Sequence, residues 1–242
     1  MCLQADDMST NCPPSRRAPV RPFQGGGRSA WRVLIAAALL LSAPARADPR
    51  AGAALARQGA TGAPACMACH GARGEGQAAA GFPRLAGQPQ AYLLKQLEDF
   101  ASGQRKSPQM EPIARALGTR QRRDAAEYYA SLPAWSAEAA PAAPPSPAGL
   151  GARLATRGNW DKGLPACFAC HGRDGTGITP HFPALSGQPS AYTRAQLKAW
   201  QAGTRGNDPQ GLMKSVADRM TDAEVDAVSL YLENPASGGR RP

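Results

Sequence analysis

The sequence predicts an all-α protein that consists of two tandem domains of similar fold. A segment of about 90 residues occurs twice in the chain of 242 residues, with the two copies about 100 residues apart, which indicates an internal repeat. Apolar residues recur at helical spacing within each copy, and no stretch shows the alternation of period two that marks a strand. A Pro- and Ala-rich stretch between the copies is typical of an extended, semi-rigid linker.

The repeat is clearest in two pairs of segments. Residues 64–71 read PACMACHG, and residues 165–172 read PACFACHG. Further along, FPRLAGQP at residues 82–89 recurs as FPALSGQP at residues 182–189. We interpret this as duplication of a whole domain. The predicted boundaries are an N-terminal extension at 1–47, domains at 48–136 and 149–236, a linker at 137–148 and a disordered tail at 237–242.

Local signals mark the helices of each copy. Pro89 predicts a helix start in the middle of the first copy. In the second copy Thr221 is followed three residues later by Glu224, a capping box that predicts the start of the last helix. Gly118 and Gln121 occupy these places in the first copy, where the signal is weaker. Each copy has only about 90 residues, so we expect another group to help fill its core.

The N-terminal extension has the features of a secretory signal. Arg28 and Arg32 precede an apolar run at residues 33–41, and the sequence ARA at residues 45–47 follows as a cleavage site. The run is shorter than the roughly 20 residues that a bilayer span requires. We therefore expect a periplasmic protein, cleaved after Ala47 and without a stable membrane span, with an uncleaved anchor as the alternative.

The formal net charge of +10 raises the question of binding to nucleic acid or to a membrane surface. Six of the arginines belong to the N-terminal extension, which leaves a moderately basic remainder. We interpret this as the charge of an ordinary soluble protein and predict no nucleic-acid partner.

Each copy contains the sequence Cys-x-x-Cys-His. The motifs comprise Cys66, Cys69 and His70 in the first copy and Cys167, Cys170 and His171 in the second. Residues i and i+3 lie on one face of a helix, so the two thiols can add to the two vinyl groups of a haem while the histidine binds its iron. The sequence therefore predicts two covalently bound haem c groups.

Three other chemistries use similar residues. A structural zinc site needs four ligands, whereas each copy offers two Cys, one His and otherwise only Met. A thioredoxin-like Cys-x-x-Cys needs no following histidine and lies near a βαβ pattern. Two structural disulfides remain the open alternative for an exported protein.

The second axial ligand is predicted by elimination among the four methionines that follow the extension. Met67 lies between two attachment cysteines and cannot reach the opposite face of the haem. Met220 aligns with Leu117, which indicates core packing. Met110 and Met213 align with each other, so we predict that they are the distal ligands, the alternative being that both fill gaps in the core.

Each copy resembles a class I cytochrome c, and the pair, with Phe-Pro-x-Leu-x-Gly-Gln in both copies, is similar to the dihaem cytochrome c4 family. The resemblance implies two tandem class I cytochrome c domains, each with a few helices around one haem. It also implies that Pro83 and Pro183 offer their carbonyls to the Nδ1–H of the haem histidines, which fixes the orientation of each imidazole ring.

His/Met ligation leaves no open position on the iron, which disfavours reactions with oxygen or peroxide. We therefore expect an electron carrier rather than an enzyme, moving single electrons between respiratory-chain proteins. The resemblance implies a terminal oxidase or a quinol-oxidising complex among its partners. An electron-transfer subunit of a dehydrogenase, of the flavocytochrome c type, is the alternative, and a dihaem peroxidase would require one displaceable iron ligand.

The two copies differ in charge around the start of the last helix. The first copy has a basic group of Arg115, Arg120, Arg122 and Arg123, and the second has an acidic group of Asp218, Asp222, Glu224 and Asp226. One hypothesis is that the basic group steers a negatively charged redox partner to the first domain. The other is that it contacts the acidic group of the second domain.

Overall fold

The computed structural model describes residues 46–136 and 148–235, whose regular structure is helical. These residues form isolated bridges between loops but no strand, which agrees with the predicted all-α fold. No helix among them is long and apolar enough to cross a bilayer. The rest of the chain, including the apolar run of the predicted signal and most of the predicted linker and tail, lies outside the described residues.

The described part of the first domain has five α-helices. They are α1 (Pro49–Gln58), α2 (Met67–His70), α3 (Gln90–Ser102), α4 (Met110–Ala116) and α5 (Thr119–Ser131). The carboxylate of Asp48 caps α1 by accepting the backbone N–H of Arg50 at 2.9 Å. Helix α3 begins at Gln90, and Pro89 is the residue immediately before it. Pro89 therefore caps the helix instead of standing in its first turn.

The described part of the second domain repeats this order. Its helices are α6 (Ala148–Thr156), α7 (Cys167–His171), α8 (Ser190–Gln201), α9 (Leu212–Ala217) and α10 (Asp222–Glu233). The predicted capping box at α10 is confirmed, because Thr221 Oγ1 accepts the N–H of Glu224 at 3.3 Å and the Glu224 carboxylate accepts the N–H of Thr221 at 2.8 Å. In the first domain Gly118 has no side chain, so only Gln121 reaches back, accepting the N–H of Gly118 at 2.8 Å.

The first and last helices of each domain pack closely through a glycine. A Cβ atom added at Gly52 in α1 would lie 2.0 Å from the carbonyl oxygen of Asp124 in α5. The equivalent atom at Gly151 in α6 would lie 2.2 Å from the carbonyl oxygen of Ala227 in α10. Only glycine allows this approach of two helix backbones.

The two cores differ in composition. In the second domain Leu154, Val225 and Val228 form the buried centre, and Met220 packs there as its alignment with Leu117 predicts. The first domain has two smaller clusters, made largely of Ala and Leu side chains. Such small clusters agree with the expectation that a further group contributes to the interior.

The two domains belong to one compact unit and meet through equivalent residues. Arg105 and Arg205 face each other in an antiparallel bridge, and each guanidinium is buried. Arg105 lies 4.6 Å from the ring centre of Phe100, and Arg205 lies 4.1 Å from that of Trp200. Each arginine therefore stacks on an aromatic side chain of its own domain.

The arginines bind neutral side chains on both sides of the interface. Arg105 donates to Gln96 Oε1 at 2.8 Å and, across the interface, to Tyr192 Oη at 2.9 Å and Gln196 Oε1 at 2.8 Å. Arg205 donates to Gln196 Oε1 at 2.9 Å and to Gln96 Oε1 at 3.4 Å. The hydrogen-bond partners of both guanidiniums are therefore neutral, while the buried carboxylate of Asp99, which helps to raise the pKa of Arg105, is itself paired with Lys95.

Candidate haem-binding sites

Helices α2 and α7 are single turns that carry the two Cys-x-x-Cys-His motifs. Cys66 stands at the N-terminal cap of α2, and the rest of the motif lies within that helix. In the second domain the whole motif lies within α7. Each helix ends at a glycine with positive φ, Gly71 at 85° and Gly172 at 81°, which stops the helix directly after the histidine.

The two histidines are buried and held in the same way. His70 Nδ1 lies 2.9 Å from the carbonyl oxygen of Pro83, and His171 Nδ1 lies 2.8 Å from that of Pro183. A proton on Nδ1 leaves the lone pair of Nε2 free to bind a metal. Burial lowers the pKa of both histidines more than the carbonyl contacts raise it, so the neutral, metal-binding form is favoured at neutral pH.

The four cysteine thiols of the described residues are free, but their environments differ. Cys66 and Cys167 pack against the apolar cores of their domains. Burial raises the pKa of both thiols, that of Cys167 to about 11. Cys69 is half-buried and Cys170 is exposed. A buried thiol with a raised pKa reacts poorly in thiol–disulfide exchange, which disfavours a thioredoxin-like site.

The two candidate methionines begin or lie within short helices, and both are half-buried. Met110 opens α4 and donates its backbone N–H to Ser107 Oγ at 3.1 Å. Met213 lies in α9 and donates its N–H to Asp208 Oδ2 at 2.8 Å. Met213 packs against the same core cluster as Cys167, whereas Met110 is not among the side chains that pack against the described clusters of the first domain.

The chemistry of these donors fits a haem. Each domain places two thiols and an imidazole on one helical turn, and the Nδ1 of each imidazole already has an acceptor. The guanidiniums of Arg105 and Arg205 suit the carboxylates of haem propionates. A zinc site is not supported, because no group of three or more His, Cys, Asp or Glu among the described residues is arranged to hold a metal ion.

The sequence reasoning missed the polar residues that join the domains. Gln88 and Gln188 stand at the same place in both copies of the FPxLxGQP segment, and Arg105 and Arg205 recur with a similar offset. That recurrence was the available signal, because polar residues repeated in both copies of a domain are candidates for a shared role. The sequence did not show that each would face the other domain.

The structure changes the interpretation of the basic group at the start of α5. Arg122 donates to the carbonyl oxygens of Ala114 at 3.1 Å and Leu117 at 2.5 Å, and these carbonyls belong to the last turn of α4 and the residue after it. Arg122 therefore caps α4 instead of facing a partner. Arg123, in contrast, is exposed.

The acidic group of the second domain is paired within that domain. The ion pairs are Lys214 with Asp218, Lys198 with Asp222, Lys162 with Glu224 and Arg194 with Asp226. Every ion pair among the described residues joins two residues of one domain. The hypothesis that the basic group contacts the acidic group of the other domain is therefore not supported.

We expect Arg122→Ala to lower the free energy of unfolding by about 1.5–3 kcal/mol, because two charge-assisted hydrogen bonds to helix carbonyls are lost. Chemical denaturation of the holoprotein measures this. Arg123→Ala is the matched control and should stay within about 0.5 kcal/mol of the unsubstituted protein. Equal effects of the two substitutions would contradict the capping role.

Comparisons with known proteins agree with this geometry. A family model described as "Cytochrome c" matches residues 50–133 and 150–235. The chain is 47% identical over 206 residues to a protein of Stutzerimonas stutzeri (strain A1501) described as "Thiosulfate dehydrogenase electron acceptor", a match that covers 84% of this chain and 94% of the relative.

Two solved structures are similar to this chain. Reduced recombinant cytochrome c4 from Pseudomonas stutzeri matches with a TM-score of 0.67 and 34% identity, covering 78% of this chain and 98% of that one. Thiosulfate dehydrogenase (TsdBA) from Marichromatium purpuratum matches with a TM-score of 0.71 and 41% identity, covering 76% of this chain. This chain spans only 40% of the TsdBA chain.

The repeated family match and the similarity to cytochrome c4 agree on cofactor and role. Two cytochrome c domains imply two covalently bound haem c groups, one in each domain. The curated relatives are named as an electron acceptor or as cytochrome c4, which are electron-transfer proteins rather than enzymes. The chain therefore belongs to the cytochrome c family, as a dihaem electron-transfer protein similar to cytochrome c4.

Proposed function

We propose that this chain accepts electrons from a thiosulfate dehydrogenase and passes them on one at a time through two His/Met-ligated haems. The observation that carries the proposal is the 47% identity to the electron acceptor of Stutzerimonas stutzeri, over 94% of that protein. The match to part of the Marichromatium purpuratum TsdBA chain supports it further. Electron donation to a terminal oxidase is the second candidate role, favoured by the similarity to cytochrome c4.

The residues proposed to hold the two haems have distinct tasks. The thioether-forming residues are Cys66, Cys69, Cys167 and Cys170, and the iron ligands are His70, Met110, His171 and Met213. When bound, haem iron supplies one-electron Fe(III)/Fe(II) chemistry. The carbonyls of Pro83 and Pro183 accept the Nδ1 proton of each histidine and keep its ring in one orientation.

The buried arginines at the interface have a proposed role in binding the same groups. Arg105 and Arg205 are each 6% exposed, and their hydrogen-bond partners among the described residues are neutral. A buried charge is costly unless an opposite charge compensates it. The carboxylate of Asp99 acts on Arg105 but is itself paired with Lys95, so haem propionates would supply the further negative charge that the interface needs.

We also propose that the protein is periplasmic and that its mature chain begins at Asp48. The backbone N–H of Asp48 donates to Asp124 Oδ1 at 2.8 Å, and Asp124 is buried. Cleavage after Ala47 would convert this N–H into a positively charged α-amino group beside the carboxylate, which strengthens the contact. The intact mass of the exported protein tests this start site.

The donor is tested by mixing ferric holoprotein with thiosulfate and a catalytic amount of a purified thiosulfate dehydrogenase. We expect both haems to become reduced, as followed by their visible absorption, and only when enzyme and thiosulfate are both present. Heat-inactivated enzyme is the control. If an unrelated c-type cytochrome is reduced faster than this chain under the same conditions, the proposed donor is wrong. Reoxidation by oxidase-containing membranes then tests the second candidate role.

A further inference from the structure

Two glutamines at equivalent places of the repeat make reciprocal contacts across the domain interface. Gln188 donates from Nε2 to the carbonyl oxygen of Arg84 at 2.8 Å, and its Oε1 accepts the backbone N–H of Arg84 at 3.1 Å. Gln88 makes the same pair of bonds with Ala184, both at 2.9 Å. Gln88 is 2% exposed and Gln188 is 6% exposed. Both side-chain amides are therefore buried, and each is satisfied by the backbone of the other domain.

The backbone that each glutamine holds lies next to a haem histidine. Pro83, whose carbonyl oxygen lies 2.9 Å from His70 Nδ1, directly precedes Arg84. The carbonyl of Pro83 and the N–H of Arg84 belong to one planar peptide group. That peptide group is thus in contact with His70 on one side and with Gln188 of the second domain on the other.

The second domain has the same arrangement in the opposite direction. Pro183 accepts from His171 Nδ1 at 2.8 Å, and the next backbone N–H, of Ala184, donates to Gln88 of the first domain. Arg84 and Ala184 have different side chains, but each glutamine contacts only the backbone atoms of these residues. The connection from Gln188 to His70 and the connection from Gln88 to His171 are therefore chemically alike.

A peptide group responds to hydrogen bonding as a unit. When its N–H donates, its carbonyl oxygen becomes more negative and accepts more strongly, and this cooperativity is larger in a buried environment of low dielectric. A stronger bond from Nδ1–H makes the imidazole a better electron donor to its metal through Nε2. Greater donation stabilises Fe(III) relative to Fe(II) and so lowers the reduction potential.

We propose that each glutamine tunes the haem of the other domain: Gln188 lowers the potential of the first-domain haem, and Gln88 lowers that of the second. Both are positioning residues, because they act through the peptide group that holds the histidine. This inference rests on the proposed ligation of iron by His70 and His171. It makes the contact between the domains part of each haem's redox environment.

The test uses Gln188→Met and Gln88→Met in the full-length holoprotein, because Met has a similar volume but lacks the amide group. The potential of each haem is measured separately in a redox titration followed by the shifted haem resonances in NMR spectra. Spectra of Met110→Ala and Met213→Ala proteins assign the resonances. We expect Gln188→Met to raise the reduction potential of the first-domain haem by roughly 30 mV. This corresponds to about a threefold change in the equilibrium constant for its one-electron reduction. Gln88→Met should raise that of the second-domain haem instead.

Lys95→Met is the control for general loosening of the interface. It removes the ammonium that donates across the interface to the carbonyl oxygen of Asn207 at 2.8 Å but contacts neither proline peptide and neither buried arginine. We expect it to produce no rise in potential confined to one haem. If one glutamine variant yields no holoprotein, the other still tests the proposal, since its expected target lies in the opposite domain.

A shift confined to the haem of the glutamine's own domain, equal shifts of both haems, or no shift would overturn the proposal. The unsubstituted holoprotein separates this result from a failure of the ligation itself. If it shows two low-spin His/Met spectra while the glutamine variants behave in one of these ways, only the tuning role is wrong. Absence of those spectra in the unsubstituted protein would contradict the ligation.

Discussion

Replacing Cys66 and Cys69 together by Ala is expected to yield a protein with one covalent haem instead of two. Each thioether requires a thiol at that position, and the motif of the second domain is untouched. The intact mass of holoprotein, made with an export and haem-maturation system and extracted with acid–acetone, counts the haems directly. The same measurement reports the mature N-terminus, which we expect at Asp48.

The matched control is the double substitution of Cys167 and Cys170, which should also leave one haem. Two haems retained on the Cys66/Cys69 variant, or fewer than two on the unsubstituted chain, would contradict the attachment sites. A mass that places the start of the chain before Val33 would contradict cleavage of the predicted signal.

Met110→Ala and Met213→Ala are each expected to remove half of the weak far-red absorption of Met-ligated ferric haem and to lower one of the two potentials. A thioether ligand favours Fe(II), so its loss favours Fe(III). Axial ligands move haem potentials over roughly 0.8 V, and we expect a shift on the order of 0.1 V for the affected haem. Far-red spectra and a redox titration measure the two effects.

Met220→Leu is the matched control, because Met220 is 7% exposed within the second-domain core and Leu conserves its volume. Its far-red spectrum should equal that of the unsubstituted protein. An unchanged spectrum for Met110→Ala would show that another residue holds the first iron. This outcome is informative in the first domain especially, where Met110 does not pack against the described core clusters.

The interface follows from the duplication of the domain. Two copies that meet through the same surface contact each other with equivalent residues, as in an isologous dimer. Gln88 with Gln188, and Arg105 with Arg205, are such pairs. Because the copies have diverged elsewhere, as in the composition of their cores, the two candidate haem sites are similar but not identical.

Features that depend on near neighbours in the chain could be predicted from the amino-acid sequence. The spacing of Cys66, Cys69 and His70 is a property of one helical turn, and these residues lie on one turn in the folded protein. The capping box at Thr221 and Glu224 is equally local and was predicted from two residues. The repeat predicted two domains because self-similarity needs no three-dimensional information.

Contacts between residues far apart in the chain could not be predicted and became visible in the folded protein. Gln188 and Arg84 are 104 residues apart, and Arg105 and Gln196 are 91 apart, so no local pattern could pair them. The sequence pattern placed Arg122 in a charged surface group, but in the folded protein its guanidinium lies at the end of α4. These long-range contacts form because a polar group removed from water must find a hydrogen-bond partner wherever the fold supplies one.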